Sequence, residues 1–348
     1  MNYRLIPAAE DSAWEEAIAA CVTYDTYHRA GYHRVPSDLA VGEPYLLAVE
    51  EGRARAALPF LVRDLASVPA ILGAEGADAT SSYGYPGVVS SESASPTLSN
   101  AFGAALHDAC NELGIVSLFV RQNPLIDTNW LLAEKAEVVD LGPTVAVDLR
   151  QTEEEISAGA NSNHRRNLKK TDQLGPELMV DDDFIHLQQF VDVYNATMER
   201  NQASDAYFFP KEYYLGLKRE LGASVRLFHA LIEGEVTSSV LALASGGTVQ
   251  YHLGGTDPEW ARDGLARWTL EQVRIWSKQN GYNWFHLGGG VGAAEDSLFR
   301  FKAGFAKTFR TFSVARYIHD PARYAELQAE SERGGHRAAE GFFPAYRG

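Results

Sequence analysis

The sequence predicts an α/β protein, of the α+β type, made of two tandem units with mixed sheets flanked by helices. The main observation is that one pattern occurs twice. In each half of the chain, two apolar runs flank a short turn that contains a glycine, which is typical of a β-hairpin. The runs are residues 45–49 and 56–62 around Gly52, and residues 225–232 and 240–244 around Gly234.

A helical pattern precedes and follows each predicted hairpin. Before the hairpins, apolar residues recur at helical spacing in residues 14–23 and 184–199. After each hairpin, a second helical segment ends at Gly114 or Gly281, because the left-handed cap of a helix is easiest for glycine. These second helices are predicted at residues 98–113 and 265–280, and the apolar strands that follow them at residues 115–120 and 282–287.

The length of the chain and one capping signal predict where the two units meet. A chain of 348 residues has room for about two domains of ordinary size. Thr152 and the three glutamates after it follow Asp148, which is typical of a strand that leads into an N-capped helix. The join is therefore expected around residues 150–155. The first unit carries about 15 extra residues between hairpin and helix, in a stretch that includes residues 66–96.

Composition and charge exclude several classes of protein. The chain is 45% hydrophobic, which is too apolar for a disordered protein. Its formal net charge of −15 disfavours binding to DNA through a broad basic surface, because phosphates are neutralised by clustered cations. A polyanion would therefore need a local basic patch. One candidate lies in residues 164–170 and contains Arg165, Arg166, Lys169 and Lys170, although such a run is equally typical of a solvated helix face.

Signals for other environments and chemistries are missing from the sequence. Residues 1–16 have no apolar core, so no secretory signal is expected, and no apolar run reaches the roughly 18 residues of a membrane span. The two cysteines, Cys21 and Cys110, exclude a disulfide scaffold, and a cytoplasmic location is expected. No metalloprotease, serine-hydrolase, dinucleotide-binding or P-loop motif occurs, so we expect no metal and no covalent acyl-enzyme.

Two segments combine aromatic rings with turn-forming or charged residues. The stretch SSYGYPG at residues 81–87 favours an ordered loop that faces a ligand through Tyr83 and Tyr85. The alternative is that these tyrosines hold the loop to its own unit. In the second segment, residues 194–214, Arg200 could bind a carboxylate or phosphate beside Tyr207. The alternative there is a surface arginine beside packing aromatic residues.

A third segment, YHLGGT at residues 251–256, is an apolar strand that breaks into two glycines. Glycines after a strand would let a ligand approach the backbone closely. Because side chains alternate along a strand, either Tyr251 or His252 points inward. An inward histidine is more often a hydrogen-bonded core residue than a catalyst.

A fourth segment begins with His286 before three glycines and continues to Lys302. Three phenylalanines flank this lysine, at positions 299, 301 and 305. A lysine in apolar surroundings either extends to solvent or meets an anion. One possible anion is the oxyanion that forms during acyl transfer.

Taken together, these motifs resemble the FemAB-like family, which includes the peptidoglycan bridge-forming transferases. The resemblance spans nearly the whole chain and rests on the order and spacing of SSYGYPG (81–87), NHRRNLKK (163–170), YHLGGT (251–256), HLGGG (286–290), SLFRFKAGF (297–305) and FFPAYR (342–347). It implies two tandem GNAT-like domains without the coiled-coil arm that some members insert for tRNA. It also implies a C-terminal tail that packs on domain 1. Domain 1 is therefore expected at residues 1–150 and about 320–348, and domain 2, with the transfer site, at residues 151–319.

The resemblance implies the reaction and the residues that carry it. Family members transfer an amino acid from aminoacyl-tRNA to an amine and form an amide. The lysine of the FK motif, here Lys302 after Phe301, is the position proposed to stabilise the tetrahedral oxyanion. Because the ester donor is already activated, attack by a neutral amine needs positioning, oxyanion stabilisation and a proton path. His252, His286, a tyrosine or the substrate itself could relay the proton.

The resemblance also implies where the substrates bind. Arg200, Tyr207 and Tyr251 would line the acceptor cleft, and the SSYGYPG loop would face the same cleft from the first domain. The basic segment 164–170 would meet the phosphates of tRNA. No resident cofactor is expected besides the aminoacyl-tRNA co-substrate. Since this SSYGYPG loop has no acidic residue, the acceptor is expected to be either a peptidoglycan-precursor peptide or a smaller peptide-like or secondary-metabolite amine.

Two other functions remain open on the sequence alone. The first is an acyl-CoA-dependent N-acyltransferase of the same fold, whose pyrophosphate would bind backbone N–H groups at a helix start. The matching stretch here is residues 261–266, where Ala261 replaces the expected Gln or Arg and Asp263 would repel phosphate. The second is a non-catalytic protein that keeps the cleft as a ligand sensor.

Overall fold

The structure, a computed structural model, describes residues 2–348. The chain forms two compact units. The first unit contains residues 2–141 and 312–348, and the second contains residues 142–311. These boundaries lie within two strands, some ten residues before the boundaries expected from the sequence at about 150 and 320.

The first unit is a sheet with helices packed on it. Its strands are β1 (Asn2–Pro7), β2 (Glu43–Glu51), β3 (Ala54–Asp64), β4 (Ala77–Thr80), β5 (Val89–Ser90) and β6 (Ile115–Arg121). Its first three helices are α1 (Asp11–Ala19), α2 (Ala30–Asp38) and α3 (Pro96–Leu113).

The second unit repeats this arrangement. Its strands are β7 (Glu137–Asp148), which begins in the first unit, β8 (Glu177–Asp181), β9 (Val225–Ile232), β10 (Glu235–Ser245), β11 (Thr248–Thr256) and β12 (Trp284–Gly288). Its helices are α4 (Glu153–Gly159), α5 (Ser162–Asp172), α6 (Leu187–Arg200), α7 (Lys211–Leu221), α8 (Leu265–Gln279) and α9 (Ser297–Lys302). Strand β13 (Phe309–Ile318) then returns the chain to the first unit, where helix α10 (Pro321–Arg333) follows.

The order of the strands confirms the twofold pattern predicted from the sequence. The first unit has the order β1-β2-β3-β4-β6-β13, with β5 paired to β3, and the second has the order β7-β12-β11-β10-β9-β8. Both predicted hairpins are present, as β2–β3 and β9–β10. Each unit also contains one pair of parallel strands, which is β4 with β6 in the first unit and β11 with β12 in the second. Along the chain, the second helix of the pattern lies between the two strands of each pair. Each sheet is therefore mixed, as expected for the α+β class.

The glycines that follow the second helices have the backbone conformation that was predicted for them. Gly114 ends α3 with φ of 62°, and Gly281 follows α8 with φ of 79°. This left-handed region favours glycine because it costs side-chain-bearing residues energy. The predicted N-cap is also present, since the Thr152 hydroxyl accepts a hydrogen bond from the Glu155 N–H at 3.2 Å and the Glu155 carboxylate accepts one from the Thr152 N–H at 2.8 Å.

Each unit has its own hydrophobic core. In the first, α3 buries one face, with Leu98, Phe102 and Leu106 spaced four residues apart, against the sheet. In the second, Val273 of α8 packs with Phe285 and Leu287 of β12. Full burial of such side chains stabilises a fold by roughly 1.5–3 kcal/mol each.

The C-terminal tail is part of the first unit. Tyr346 is fully buried in a cluster with Leu65, Val116 and Leu327, and its hydroxyl lies 2.8 Å from the hydroxyl of Ser117. The Arg347 guanidinium donates to the buried Asp78 carboxylate. The aromatic end of the chain is thus held by both an apolar cluster and an ion pair.

The helices of residues 2–348 are short. The longest, α3, has 18 residues, so the described chain contains no coiled-coil arm. Within the same residues, no helix is both long and apolar enough to span a bilayer.

Candidate active site

The candidate site of the second unit lies where β11 and β12 separate. The two strands pair over only three residues each, from Thr248–Trp284 to Gln250–His286. Beyond this point β11 stays paired with β10, and β12 stays paired with β7. From Tyr251 onward β11 is therefore not paired with β12, and at the end of β11 the Thr256 N–H donates to the Thr197 hydroxyl of α6 at 2.9 Å.

A glycine turn connects the end of β12 to α9. Gly288 has φ of 74°, and a Cβ on Gly290 would lie 2.1 Å from the Ala294 carbonyl oxygen and 2.3 Å from Asp296. Asp296 needs this space because its carboxylate accepts the N–H groups of Phe299 at 2.8 Å and Val291 at 3.1 Å. The three glycines thus allow Asp296 to cap α9 and to fold the helix back toward the strands.

Lys302 is the last residue of α9 and is buried, with 8% of its surface exposed. Its Nζ donates a hydrogen bond to the Gly289 carbonyl at 2.7 Å and lies 5.4 Å from the centre of the Tyr251 ring. Burial lowers the pKa of Lys302 to about 8, and the Asp296 carboxylate opposes this shift. The side chain is therefore mostly an ammonium cation at neutral pH, held beside the separated strands.

Tyr251 and His252 meet different partners. The Tyr251 ring faces the Lys302 ammonium, and burial raises the pKa of Tyr251 to about 12. His252 is buried, and its Nε2 lies 2.7 Å from the hydroxyl of Tyr213 on α7. Burial lowers the pKa of His252 to about 3, so its imidazole is neutral and a weak proton acceptor near neutral pH. Of the pair, Tyr251 contacts the lysine.

His286 and Phe301 also have partners within the second unit. His286 is fully buried on β12, and its Nδ1 lies 2.7 Å from Oε1 of Gln250, the neighbouring residue on β11. Since an amide oxygen only accepts, His286 Nδ1–H is the donor. The Phe301 ring lies 5.4 Å from the guanidinium of Arg267 on α8 and 5.9 Å from the Phe305 ring. Phe301 thus packs against the hydrophobic core of the second unit.

Arg200 and Tyr207 lie at the end of α6 and just after it. The Arg200 guanidinium is exposed and donates to the Thr256 carbonyl at 3.4 Å. The Tyr207 carbonyl accepts from the Tyr194 hydroxyl at 2.8 Å. The sequence suggested a ligand close to the backbone of the two glycines in YHLGGT. At Gly255 the close approach is made by α6 itself, because a Cβ there would lie 2.3 Å from the Val193 carbonyl oxygen.

The basic segment forms helix α5. His164 is its buried anchor, with its ring 4.2 Å from the Phe305 ring, and burial lowers its pKa to about 4. Arg165 donates to carbonyls at the end of α4, at 2.7 Å for Ser157. The side chains that remain on the exposed side of the helix are Arg166, Lys169 and Lys170.

The SSYGYPG loop is packed tightly in the first unit. Gly84 has φ of 93°, and a Cβ there would lie 2.4 Å from the Tyr27 ring. The Ser82 hydroxyl lies 2.9 Å from His33 Nδ1. Tyr85 is partly buried in edge contact with Phe312, with ring centres 5.1 Å apart, whereas Tyr83 is 39% exposed. Most of the loop therefore serves its own unit, and Tyr83 is the ring that reaches the surface.

Two residues of the site were not singled out in the sequence analysis, namely Gln250, which meets His286, and Asp296, which caps α9. Tyr213 lies in the candidate segment 194–214, but its contact with His252 was not predicted. Asp296 had a readable signal, because an Asp immediately before a short apolar run is typical of an N-cap. The other two contacts join residues that are 39 and 36 positions apart, and no local pattern predicts them.

The fold is shared with known proteins, although the sequence is distant from them. Residues 159–303 match the acetyltransferase (GNAT) domain family. No curated protein has a sequence that matches the chain. The crystal structure of FemX is similar with a TM-score of 0.72, at 12% identity over 94% of this chain and 99% of that chain.

Two further solved structures have similar folds. The C-terminal domain of a candidate lysylphosphatidylglycerol synthetase from Agrobacterium fabrum has a TM-score of 0.56, at 16% identity over 96% of this chain and 100% of that chain. L-PGS from Bacillus licheniformis has a TM-score of 0.55, at 14% identity over 94% of this chain and 97% of that chain.

The domain match and the similar solved structures show that the chain has the GNAT fold. The similarity to FemX over 94% of this chain confirms the tandem GNAT fold that the FemAB-like resemblance implied. Lys302 and Tyr251 both lie inside the segment that matches the GNAT domain.

Proposed function

We propose that the protein is an aminoacyltransferase that moves an amino acid from aminoacyl-tRNA to the amine of a peptide or a smaller peptide-like acceptor. The amine nitrogen attacks the ester carbonyl and forms a tetrahedral intermediate with a negative oxygen. The intermediate collapses to an amide as the C–O bond to the tRNA breaks, and the proton lost by the amine balances the proton gained by the leaving ribose oxygen.

The observation that carries this proposal is the state of the Lys302 ammonium group. Of its three N–H donors, one is taken by the Gly289 carbonyl, and within residues 2–348 no further protein acceptor is bonded to it. A buried cation with unused donors, beside the point where β11 and β12 separate, is suited to stabilise an oxyanion. In a low-dielectric site each such donor is worth more than in water.

The start of α8 supports an aminoacyl donor over acyl-CoA. Helix α5 lies against it, because the Thr171 hydroxyl donates to the Asp263 carbonyl at 2.7 Å and lies 2.5 Å from the place of a Cβ on Gly264. The Asp172 carboxylate accepts from the Trp268 indole N–H at 2.7 Å. Two carboxylates, those of Asp263 and Asp172, therefore belong to the region where a pyrophosphate would need backbone N–H groups, and they would repel it.

The exposed cations of α5 support a nucleic-acid donor. Arg166, Lys169 and Lys170 are available to phosphates, while His164 and Arg165 hold the helix in place. A chain with net charge −15 can use a tRNA when it contacts only a few phosphates, because affinity and salt dependence scale with the number neutralised. The name of the Agrobacterium relative, a lysylphosphatidylglycerol synthetase, also describes an aminoacyl product.

The test is a donor comparison with purified protein. The full chain is incubated with total charged tRNA or with acetyl-CoA, and each donor is offered to a panel of peptide and small-molecule amines. We expect amide products with charged tRNA, and we expect prior ribonuclease treatment of the donor to abolish them. Lys302→Met should abolish most of this product, whereas Lys307→Met, which changes an exposed lysine five residues away, should not.

Two outcomes would contradict the proposal. Product from acetyl-CoA that resists ribonuclease would favour the second candidate, an acyl-CoA-dependent N-acyltransferase, which the GNAT domain match also supports. Equal turnover of Lys302→Met and the parent chain would remove the lysine from the chemistry.

A further inference from the structure

The first unit contains a cavity that the transfer reaction does not use. It has a volume of about 550 Å³, within the usual range for small-molecule sites, and all of its lining residues belong to the first unit. One wall is the sheet, with Thr80, Phe119 and Val314, and the opposite wall is the C-terminal tail. The tail residues that line it are Gly341, Phe342, Phe343, Pro344 and Arg347.

The charges around this cavity are positive. Arg63, Arg316 and Arg347 line it, and the lining contains no carboxylate. Each of these arginine side chains is 16–21% exposed, so they are only partly solvated. On a protein with net charge −15, a cavity lined by three guanidinium groups is unusual and needs a physical reason.

Structural ion pairs account for only part of this positive charge. The buried carboxylate of Asp78 accepts Nε–H of Arg63 at 2.8 Å and also accepts Nε–H of Arg347. One negative charge is thus shared by two cations. Burial lowers the pKa of Arg63 and the adjacent Arg347 lowers it further, against the opposing effect of Asp78. An anion in the cavity would relieve this excess of positive charge.

Among the described residues, Arg316 is the one of these three arginines with a buried donor that lacks a hydrogen-bond partner. It donates to the Gly341 carbonyl at 2.7 Å and to the exposed Glu137 at 3.4 Å. Its buried Nε has no hydrogen-bond partner within residues 2–348. A planar guanidinium with unused donors is suited to bind an oxyanion group.

The rest of the cavity is apolar and aromatic. Phe119 and Phe343 face each other with ring centres 6.2 Å apart, and Val68, Pro69 and Leu141 complete the apolar lining. We propose that this cavity binds a small organic phosphate, with the phosphate held by the three arginines and an aromatic or apolar body packed against Phe119 and Phe343. A phosphate fits better than a carboxylate, because it carries more negative charge and offers more acceptor oxygens to three guanidinium groups.

The test is calorimetric titration of the full chain with four probes: adenosine monophosphate, adenosine, inorganic phosphate and benzoate. We expect adenosine monophosphate to bind with a submillimolar Kd, and the other three probes to bind at least tenfold more weakly. Arg316→Gln should weaken the binding of adenosine monophosphate at least tenfold, and Arg316→Lys should weaken it less. Arg53→Gln changes an exposed arginine in the turn between β2 and β3 and should leave binding unchanged.

The unfolding midpoint of each variant is measured in parallel, so that loss of binding is read only on folded protein. The proposal is overturned if adenosine monophosphate does not bind at millimolar concentration, or if folded Arg316→Gln binds it as well as the parent chain does. Equal affinity for benzoate would overturn the assignment to phosphates. Because the cavity lies in the first unit, this result does not depend on whether Lys302 acts in transfer.

Discussion

At the scale of the residue, the central feature is Lys302, whose ammonium group is buried although burial of a charge costs free energy. Burial of an ammonium group disfavours its charged form, and here burial lowers the pKa of Lys302 to about 8. The protein holds the cation with one carbonyl, one aromatic face and a nearby carboxylate. A structural role alone would be served better by an apolar residue in this place.

Replacement of the lysine should slow the reaction severely. Lys302→Met keeps the length of the side chain and removes the charge, so the oxyanion loses its donor. We expect the barrier to rise by roughly 2–4 kcal/mol, or about 30- to 1000-fold in kcat, on the scale of a lost oxyanion-hole donor. The measurement is single-turnover kinetics at saturating donor. Lys307→Met is the control, and a similar loss in both variants would contradict the assigned role.

The titration of Lys302 should also change how the free energy of unfolding depends on pH. The unfolded state holds the Lys302 proton up to about pH 10.5, whereas the folded state releases it near pH 8. Between these values the unfolded state binds more protons, so stability rises with pH in this window. The gain is on the order of 3 kcal/mol at about 1.4 kcal/mol per pKa unit.

This effect is measured as a difference between two proteins. Urea unfolding of the parent chain and of Lys302→Met is compared at pH 8 and pH 10, so that the titration of other groups cancels. The parent should gain stability relative to the variant over this range. A constant difference would mean that the lysine titrates at its ordinary pKa.

Only part of the site is predictable from the sequence. The lysine was recognisable because the phenylalanines around it are close in the chain, and short-range apolar context predicts an unusual setting for a cation. The contact of Lys302 with Tyr251 joins residues that are 51 positions apart, on a strand and a helix with another helix and another strand between them, so it depends on the tertiary fold. The burial that makes His252 a weak base is likewise set by α7, which local pattern did not predict.

At the scale of the element, the glycine turn before α9 decides where the lysine points. A Cβ at Gly290 would overlap the Ala294 carbonyl and the Asp296 carboxylate, and this carboxylate caps the start of α9. We expect Gly290→Ala to lower the free energy of unfolding by about 1–3 kcal/mol, as overpacking usually does, and to reduce turnover as well. Chemical denaturation and kcat are the two measurements.

The matched control for this turn is Gly159→Ala. Gly159 is the last residue of α4, and a Cβ there has nothing within 4 Å. Because alanine is the better helix former, stability should stay the same or rise. If both variants lost equal stability, crowding at the turn would not be the cause.

Helix α5 gives a prediction for the donor. Lys169→Glu places a negative charge on the exposed face of the helix without touching its buried anchor His164. We expect a higher KM for charged tRNA and a salt dependence of KM that is shallower by about one phosphate contact. Turnover at saturating donor should change little. Arg53→Glu in the first unit is the control, and equal effects of the two variants would indicate a general charge effect.

At the scale of the whole molecule, the first unit depends on the end of the chain. Tyr346 fills the cluster between α10 and β6. We expect Tyr346→Ala to cost about 3–5 kcal/mol, as other buried aromatic deletions do, and hydrogen exchange should show lost protection in β6 and α10. Phe342→Ala, at a ring that is 50% exposed, should cost far less. Similar losses for both variants would mean that the tail contributes little through burial.

The fold was more predictable than the site, because it repeats. Two hairpins and two helix-ending glycines, seen in the same order twice, predicted the tandem class. Short elements were missed, such as β5 with two residues and α9 with six, because they carry too few residues for a period to show. Only the end of strand β7 was predicted, because the buried apolar residues of this strand lie in its second half.

The short pairing of β11 with β12 has a consequence for what this protein selects. A substrate that lies along β11 where it separates from β12 would be held through its amide and carbonyl groups, which all amino acids share. Such main-chain contacts would not depend on which side chain the transferred amino acid carries. Under the proposed function, we therefore expect the protein to accept different amino acids and to discriminate through the tRNA that carries them and the amine that receives them.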